Sequence, residues 1–211
     1  IVHNSNSATQ TGNVTYKPKH ITAVINGKPV TRYDGTNDYL LEALALSGAK
    51  TIIFVAKFTE VPALTVGYSV ISLKKDASTF SEIQFLNVVG YSNVSFRHDF
   101  QAVGAGVGTD ITPDTNPHIW VHTYNGGTNT AVGSYALWLD GVSQTIVTTG
   151  NFARTATDLG SIGARVTSTG TPGNKLKGDL PEIIVYDRVL NAGELSRLTR
   201  YLGRKYGIAV S

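Results

Sequence analysis

The stretch Gly178–Ile208, GDLPEIIVYDRVLNAGELSRLTRYLGRKYGI, predicts a buried strand that runs directly into a terminal helix. Over Ile183–Val185 the apolar residues fall on both strand parities, which is typical of a strand covered on both faces. Asn191 suits a helix N-cap, and Glu194 lies three residues further on, where a capping box requires it. Gly207 suits the left-handed residue that ends a helix. We therefore expect an inner strand followed by one helix packed on the sheet.

This helix is expected to turn an apolar face to the sheet and a basic face to solvent. The leucines at helical spacing are Leu195, Leu198 and Leu202, and the basic residues between and beyond them include Arg197, Arg200 and Arg204. The basic residues fit a solvated helix face better than a nucleic-acid interface, because no aromatic side chains are interleaved with them for base stacking. No nucleic-acid partner is predicted.

The rest of the chain predicts short strands separated by turns, as in an all-β sandwich. The expected strands are His20–Ile25, Val30–Asp34, Tyr39–Leu46, Thr51–Phe58, Tyr68–Leu73, Glu82–Val88, Ser92–His98, His118–Tyr124, Tyr135–Asp140, Val142–Thr148 and Asp158–Ala164. A tight hairpin is expected at Asn26-Gly27, because this pair readily adopts positive φ. Three Gly-, Asn- and Thr-rich segments are interpreted as loops, Phe100–Pro117, Asn125–Ser134 and Arg165–Asn174, and the first is long enough to be a binding loop.

Three stretches resemble the laminin-G-like, concanavalin A-type lectin and glucanase domains of bacteria and their viruses. They are Ile25–Leu40 (INGKPVTRYDGTNDYL), Trp120–Val142 (WVHTYNGGTNTAVGSYALWLDGV, followed by LGSIG at Leu159–Gly163) and Gly178–Ile208. The resemblance implies an all-β, two-sheet antiparallel jelly-roll sandwich of the concanavalin A-like type, with the C-terminal α-helix packed on a sheet. We expect residues 1–19 to form an extended N-terminal arm and residues 20–211 to form a single domain. Because this fold carries lectins, adhesion modules, virion parts and enzymes, the resemblance implies architecture rather than activity.

Composition excludes several function classes. The 211 residues include no cysteine, so disulfides and thiolate chemistry are excluded. The formal net charge is only +3. No apolar run approaches the roughly 20 residues that a membrane-spanning helix requires, so membrane insertion is not predicted.

No catalytic residue is predicted. The resemblance implies that an enzyme of this fold would carry a Glu-x-Asp-x-x-Glu strand motif, which brings two carboxylates to about 5–5.5 Å for a retaining mechanism. The five glutamates of this chain are isolated from one another: Glu42, Glu60, Glu82, Glu182 and Glu194. His118 and His122 would lie about 13 Å apart on one strand, too far to share a metal ion. We predict them to be half-buried polar residues beside Trp120.

Calcium is the ion that the resemblance suggests, because many relatives hold it at loop tips through carboxylate, amide and carbonyl oxygens. The candidate ligands are Asp34, Asn37 and Asp38, with Asp110, Asp114 or Asp158 as further oxygens across the rim of the sandwich. Turn formation is the alternative interpretation of Asp34, because Asp before Gly favours a bend without any metal. No sequence pattern requires a cofactor, and calcium is the ion whose binding we would test.

A sugar site needs an aromatic face and hydrogen-bonding groups in a concave surface. In Leu137-Trp138-Leu139 the tryptophan has the opposite strand parity to the leucines, so it faces outward if they face the core. The predicted ligand-binding residues are Trp138, Tyr124, Asn125, Asn129, Asp110 and Asp114. Trp120 is expected in the core, where the resemblance implies a core tryptophan.

Three function classes fit these observations. The first is a non-catalytic carbohydrate-binding or adhesion module of a larger surface-exposed protein, with a glycan or cell-surface polysaccharide as partner. The alternative is a virion structural domain, such as a capsid decoration or a tail or receptor-binding protein, which contacts other subunits of the assembly. A glycan-cleaving enzyme is the third, and the missing acid pair argues against it. The first two hypotheses place the chain outside the cell, at a cell surface or on a virion surface.

Overall fold

The computed structural model describes residues 16–42, 48–63, 66–74, 80–87, 94–100, 106–126, 132–149, 159–166 and 172–211. These residues form two seven-stranded sheets, a two-stranded ribbon and one α-helix. Every strand pairing between them is antiparallel. The expected all-β antiparallel sandwich with a C-terminal helix is confirmed.

The elements stack in three layers, which we call the outer sheet, the middle sheet and the helix. The middle sheet has the order β1 (Lys19–Ile25), β2 (Lys28–Asp34), β16 (Lys177–Tyr186), β4 (Lys50–Phe58), β9 (His118–Tyr124), β10 (Tyr135–Leu139) and β11 (Val142–Ser143). The outer sheet has the order β12 (Val147–Thr149), β8 (Gly106–Ile111), β7 (Val94–Phe100), β6 (Phe80–Asn87), β5 (Gly67–Lys74), β13 (Leu159–Ile162) and β3 (Leu40–Glu42). The ribbon pairs β14 (Arg165–Val166) with β15 (Pro172–Gly173), and α1 spans Ala192–Tyr206.

The middle sheet is covered on both faces, which explains its continuous apolar runs. In β4, Phe54 belongs to the core between the two sheets, whereas its neighbour Ile53 belongs to the core beneath α1. In β16, Ile183 and Val185 pack toward the outer sheet and Ile184 packs toward α1. The prediction of an inner strand is thus confirmed for β16, which lies between β2 and β4. β4 pairs with Ile183–Val185 itself, whereas β2 pairs with the preceding residues Lys177–Leu180.

Local sequence chemistry determines both ends of α1. The Asn191 side chain accepts a hydrogen bond from the Glu194 backbone N–H at 3.0 Å, and the Glu194 carboxylate accepts one from the Asn191 backbone N–H at 2.9 Å. Gly207 adopts the left-handed conformation, with φ of 69°. Leu195 and Leu202 are buried against the middle sheet, and the arginines predicted to face solvent are exposed. The capping box and the C-cap are therefore confirmed.

The prediction of a structureless loop over Phe100–Pro117 is wrong for Gly106–Ile111, which forms β8 between β7 and β12. Thr109 and Ile111 point into the sandwich and are buried, whereas Asp110 is exposed. This alternation is the signature of a strand. The alternation could not be recognised in the sequence because glycine, which has no side chain, occupies two of the six positions.

Two further segments differ from expectation. The single strand predicted at Val142–Thr148 is two short strands, because the chain leaves the middle sheet after β11 and joins the outer sheet at β12. The predicted loop Arg165–Asn174 carries β14 and β15 at its ends. The Asn26-Gly27 hairpin is confirmed, with φ of 46° and 70° at its two residues. Residues 1–15 lie outside the described part of the chain, so the division into arm and domain stays a prediction.

Candidate functional site

Five neighbouring strands of the middle sheet each have one end on the same side of the sandwich. We call this row of strand ends the His118 rim. β2, β4 and β10 end there, and β16 and β9 begin there. The register pairs Lys177 with Asp34, Gly178 with Phe58, and His118 with Ala56. Consequently the loops that follow or precede these strands lie side by side. The row of strand ends on the opposite side, where β9 ends, is called the far rim.

The His118 rim contains a cleft of about 330 Å³, which we call the His118 cleft. Its apolar floor includes Phe58 and Trp120, both buried to more than nine-tenths. Polar groups from three segments line its walls: Asp110, Asp114 and Asn116 from β8 and the loop that follows, His118 from β9, and Gln144 from the crossing between the sheets. The cleft thus combines an apolar base with several hydrogen-bonding side chains, as small-ligand sites do.

His118 joins two of these segments. Its Nδ1 lies 2.6 Å from Asp140 Oδ2, in the turn after β10, and its Nε2 lies 3.0 Å from Asp114 Oδ1. Only the imidazolium form can donate to both carboxylates, because the neutral ring has a single N–H. The hydrogen bond to Asp140 raises the pKa of His118, and Asp114 adds to this effect. Burial raises the pKa of Asp114, but hydrogen bonds from Asn116 and His118 outweigh it and lower the pKa overall.

This arrangement suits recognition rather than catalysis. With both ring nitrogens protonated, His118 has no lone pair with which to accept a proton or bind a metal. A general acid needs a pKa near the working pH, whereas Asp114 has a lowered pKa and stays ionised. The cluster holds the loop after β8 against the turn after β10 and so defines the shape of the cleft.

Removing the imidazolium should make stability less dependent on pH. The raised pKa means that the stabilisation from His118 is fully present below the unfolded-state pKa of about 6.5 and is lost as the pH rises through the folded-state value. We expect His118→Gln to lower the free energy of unfolding more at about pH 5.5 than at about pH 9. Urea unfolding followed by Trp fluorescence measures this difference. An equal loss at both pH values would contradict the ionised cluster.

A second cleft of about 460 Å³ lies beside the first on the same rim and is called the Lys177 cleft. Lys177 Nζ lies 2.7 Å from Glu60 Oε2, and the Tyr68 hydroxyl donates to Glu60 Oε1 at 3.4 Å. The Lys177 hydrogen bond lowers the pKa of Glu60, and burial raises the pKa of Tyr68 to about 12. Lys175 also lines this cleft and has no ion-pair partner among the described residues.

The predicted calcium ligands form a turn at the edge of the Lys177 cleft. Asp34 Oδ1 accepts the backbone N–H groups of Thr36 at 2.7 Å and Asn37 at 3.2 Å. Asp38 is buried, its Oδ2 accepts the Asp34 backbone N–H at 2.9 Å, and burial raises its pKa. These contacts account for the turn itself. Within the described residues no three His, Cys, Asp or Glu side chains are grouped as a metal site, and calcium at this turn stays a prediction.

The predicted ligand-binding residues separate into different places. Asp110 and Asp114 meet in the His118 cleft. Trp138 has the parity predicted, but its outer face is covered by α1, where it packs against the core that contains Leu195. Tyr124 is buried and stacks on Tyr135 at the far rim, with ring centroids 4.9 Å apart. Asn125 is exposed beside it, and Asn129 lies outside the described residues.

Three residues that line the clefts were not among the predicted site residues: Asn116, Gln144 and Lys175. Asn116 had a local signal, because Asp114 forms hydrogen bonds with both its backbone N–H and its side chain in a turn that directly precedes β9. Gln144 had none, since its position depends on where the chain crosses between the sheets. His118 is half-buried and its ring centroid lies 6.2 Å from that of Trp120, as predicted. The same prediction is wrong for His122, which is 1% exposed, because the middle sheet is covered on both faces.

The layered architecture defines an antiparallel β-sandwich with a helix packed on one sheet. A carbohydrate-binding module, the Ruminococcus gnavus IT-sialidase CBM40 bound to alpha2,3 sialyllactose, is 16% identical to this chain, with a TM-score of 0.55 over 87% of this chain and 96% of the module. A botulinum neurotoxin type C structure, described as dependent on two ganglioside molecules for cell entry, is 10% identical, with a TM-score of 0.58 over 88% of this chain. The NanB sialidase from Streptococcus pneumoniae is 11% identical, with a TM-score of 0.56 over 79% of this chain.

These similarities concern the fold. The chain spans 45% of the neurotoxin chain and 27% of the NanB chain. No family model and no curated protein sequence matches the chain. No helix in the described part of the chain is long and apolar enough to cross a membrane.

Proposed function

We propose that this chain is a non-catalytic carbohydrate-binding or adhesion module of a larger surface-exposed protein, and that the His118 cleft is its binding site. The similar solved structures include a module bound to sialyllactose and a toxin that interacts with gangliosides. These proteins make a glycan the first ligand to test. The proposal also implies a location outside the cell or at its surface.

The composition of the His118 cleft is the observation that carries this proposal. A sugar ring presents C–H groups on its faces and hydroxyls around its edge. The apolar lining, which includes the half-buried Pro113 and Leu139 besides Trp120 and Phe58, matches the C–H groups. The amides of Asn116 and Gln144 and the carboxylate of Asp114 match the hydroxyls. The volume of about 330 Å³ lies at the lower end of the range for small-ligand pockets, which suits one or two sugar rings rather than a large ligand.

Charge favours a neutral sugar in this cleft. Asp114 and Asp140 carry two negative charges against the single positive charge of His118. A sugar carboxylate placed among them would be repelled, whereas sugar hydroxyls can donate to the carboxylate oxygens. We therefore expect neutral or amino sugars to bind the His118 cleft in preference to acidic ones.

A glycan array tests the proposal with a matched pair of variants. Asn116→Ala removes an exposed amide from the His118 cleft, and Asn125→Ala removes an exposed amide from the far rim. Loss of one hydrogen bond at the cleft should weaken binding about tenfold, as expected from about 1.4 kcal/mol. Asn125→Ala should bind like the wild type.

The same array, read with and without a calcium chelator, also tests calcium. Loss of binding with the chelator would support a calcium site, and unchanged binding would contradict it. Failure of the wild-type chain to bind any glycan would contradict the proposed function. Equal weakening by Asn116→Ala and Asn125→Ala would contradict the assignment of the His118 cleft.

A further inference from the structure

The two clefts of the His118 rim are adjacent. Phe58 lines the His118 cleft, and Tyr68 lines the Lys177 cleft. Both side chains belong to the core between the sheets. Their rings are in contact, with centroids 5.7 Å apart. The linings of the two clefts therefore meet at this pair of aromatic side chains, and the Tyr68 hydroxyl donates to Glu60, two residues after β4.

Together the clefts cover the ends of five adjacent strands, from β2 at the Lys177 cleft to β10 at the His118 cleft. Neighbouring strands lie about 4.8 Å apart, so the four intervals amount to about 19 Å along the rim. A length of this order exceeds what one sugar ring can contact. It suits several linked sugars lying across the strand ends.

The Lys177 cleft offers hydrogen-bonding groups for the distal part of such a chain. Lys175 is half-buried and lacks an ion-pair partner among the described residues, so its ammonium can donate to a ligand. Asn174 has φ of 45°, and its carboxamide lies over Gly67, where an added Cβ would come within 3.1 Å of it. The glycine thus leaves room for that amide at the cleft. Lys177 is already paired with Glu60 and contributes less.

From this adjacency we infer that the His118 rim binds an extended oligosaccharide, with one end in the His118 cleft and the chain continuing into the Lys177 cleft. This inference rests on the proposed function, since it assumes that the His118 cleft binds sugar. It adds that the ligand is a chain recognised over several units rather than a single terminal sugar. Affinity must then increase with chain length, and the increase must depend on the Lys177 cleft.

Equilibrium titrations with disaccharides through octasaccharides of a series recognised on the array test this inference. Lys175→Ala removes the ammonium from the Lys177 cleft, and Lys28→Ala is its matched control, because Lys28 is an exposed lysine at the start of β2, on the far rim. We expect the wild type to bind the octasaccharide about tenfold more tightly than the disaccharide, and Lys175→Ala to remove about fivefold of that gain. Disaccharide binding should be the same in all three proteins.

The outcomes separate this inference from the proposal on which it rests. If the wild type binds the disaccharide and octasaccharide equally, or if Lys175→Ala and Lys28→Ala have the same effect, the extended site is wrong while the His118 cleft stands. If the wild type binds no member of any series, the proposed function is wrong and the inference is overturned with it. Matching urea midpoints for the two lysine variants ensure that a lost affinity is not a lost fold.

Discussion

Gly163→Ala is expected to lower the free energy of unfolding by about 3 kcal/mol or more, through overpacking and an unfavourable φ together. Gly163 has φ of 85°, and a Cβ added there would overlap the ring of Tyr33, which is 2% exposed. Its backbone is also engaged, because its N–H donates to the Val70 carbonyl at 3.0 Å and its carbonyl accepts from the Leu176 N–H at 2.8 Å. Neither the ring nor the backbone can move without breaking the contact between the sheets.

Gly27→Ala provides the matched control. Gly27 has φ of 70°, but nothing lies within 4 Å of an added Cβ. Its substitution should lower the free energy of unfolding by about 1 kcal/mol, because only the positive φ is unfavourable for alanine. Urea unfolding followed by far-UV circular dichroism measures both losses. Equal losses at the two glycines would show that the Tyr33 ring is not held where the structure places it.

Arg32→Ala is expected to cost about 3 kcal/mol of unfolding free energy, because it leaves a buried carboxylate without its partner. Arg32 and Asp179 are directly opposite on β2 and β16. Arg32 Nε and Nη2 donate to the two Asp179 carboxylate oxygens at 2.7 and 2.8 Å. The Asp179 side chain is fully buried, whereas that of Arg32 is 39% exposed. Removing Arg32 should therefore lower the free energy of unfolding by more than the partial exposure of its own side chain suggests.

Two companion variants define the cause of this loss. Arg32→Lys keeps the charge but not the two-pronged geometry, so we expect an intermediate loss. The double variant Arg32→Ala with Asp179→Ala removes the buried charge as well and should be more stable than Arg32→Ala alone. A loss below about 1 kcal/mol for Arg32→Ala would mean that the pair behaves as a solvent-exposed ion pair. Urea unfolding of the four proteins gives the comparison.

Elements whose structure depends on local chemistry could be predicted from the sequence. The capping box of Asn191 and Glu194 and the left-handed Gly207 are formed by residues within a few positions of one another. The Asn26-Gly27 hairpin has the same local origin. β8 was missed for the converse reason, since its pairing with β7 and β12 compensates for glycines that weaken any local preference.

The site depended on contacts that no local pattern reveals. The parity of Trp138 was predicted correctly, yet the cover that α1 places over it is a tertiary contact. Asp114 lies only four residues before His118, whereas Asp110 lies on β8 and reaches the His118 cleft because the outer sheet packs on the middle sheet. Tyr124 and Asn125 were selected with them but lie at the other end of β9, about 20 Å away for a seven-residue strand.

The most direct test of the account is a chemical-shift titration of the ¹⁵N-labelled chain with the glycan that gives the strongest array signal. We expect the backbone amides of Asn116, His118 and Ile119 at the His118 rim to shift and those of Asn125 and Tyr135 at the far rim to stay in place. The glycan should be recovered intact. Shifts confined to the far rim or to the surface of α1, or cleavage of the glycan during the titration, would contradict the account.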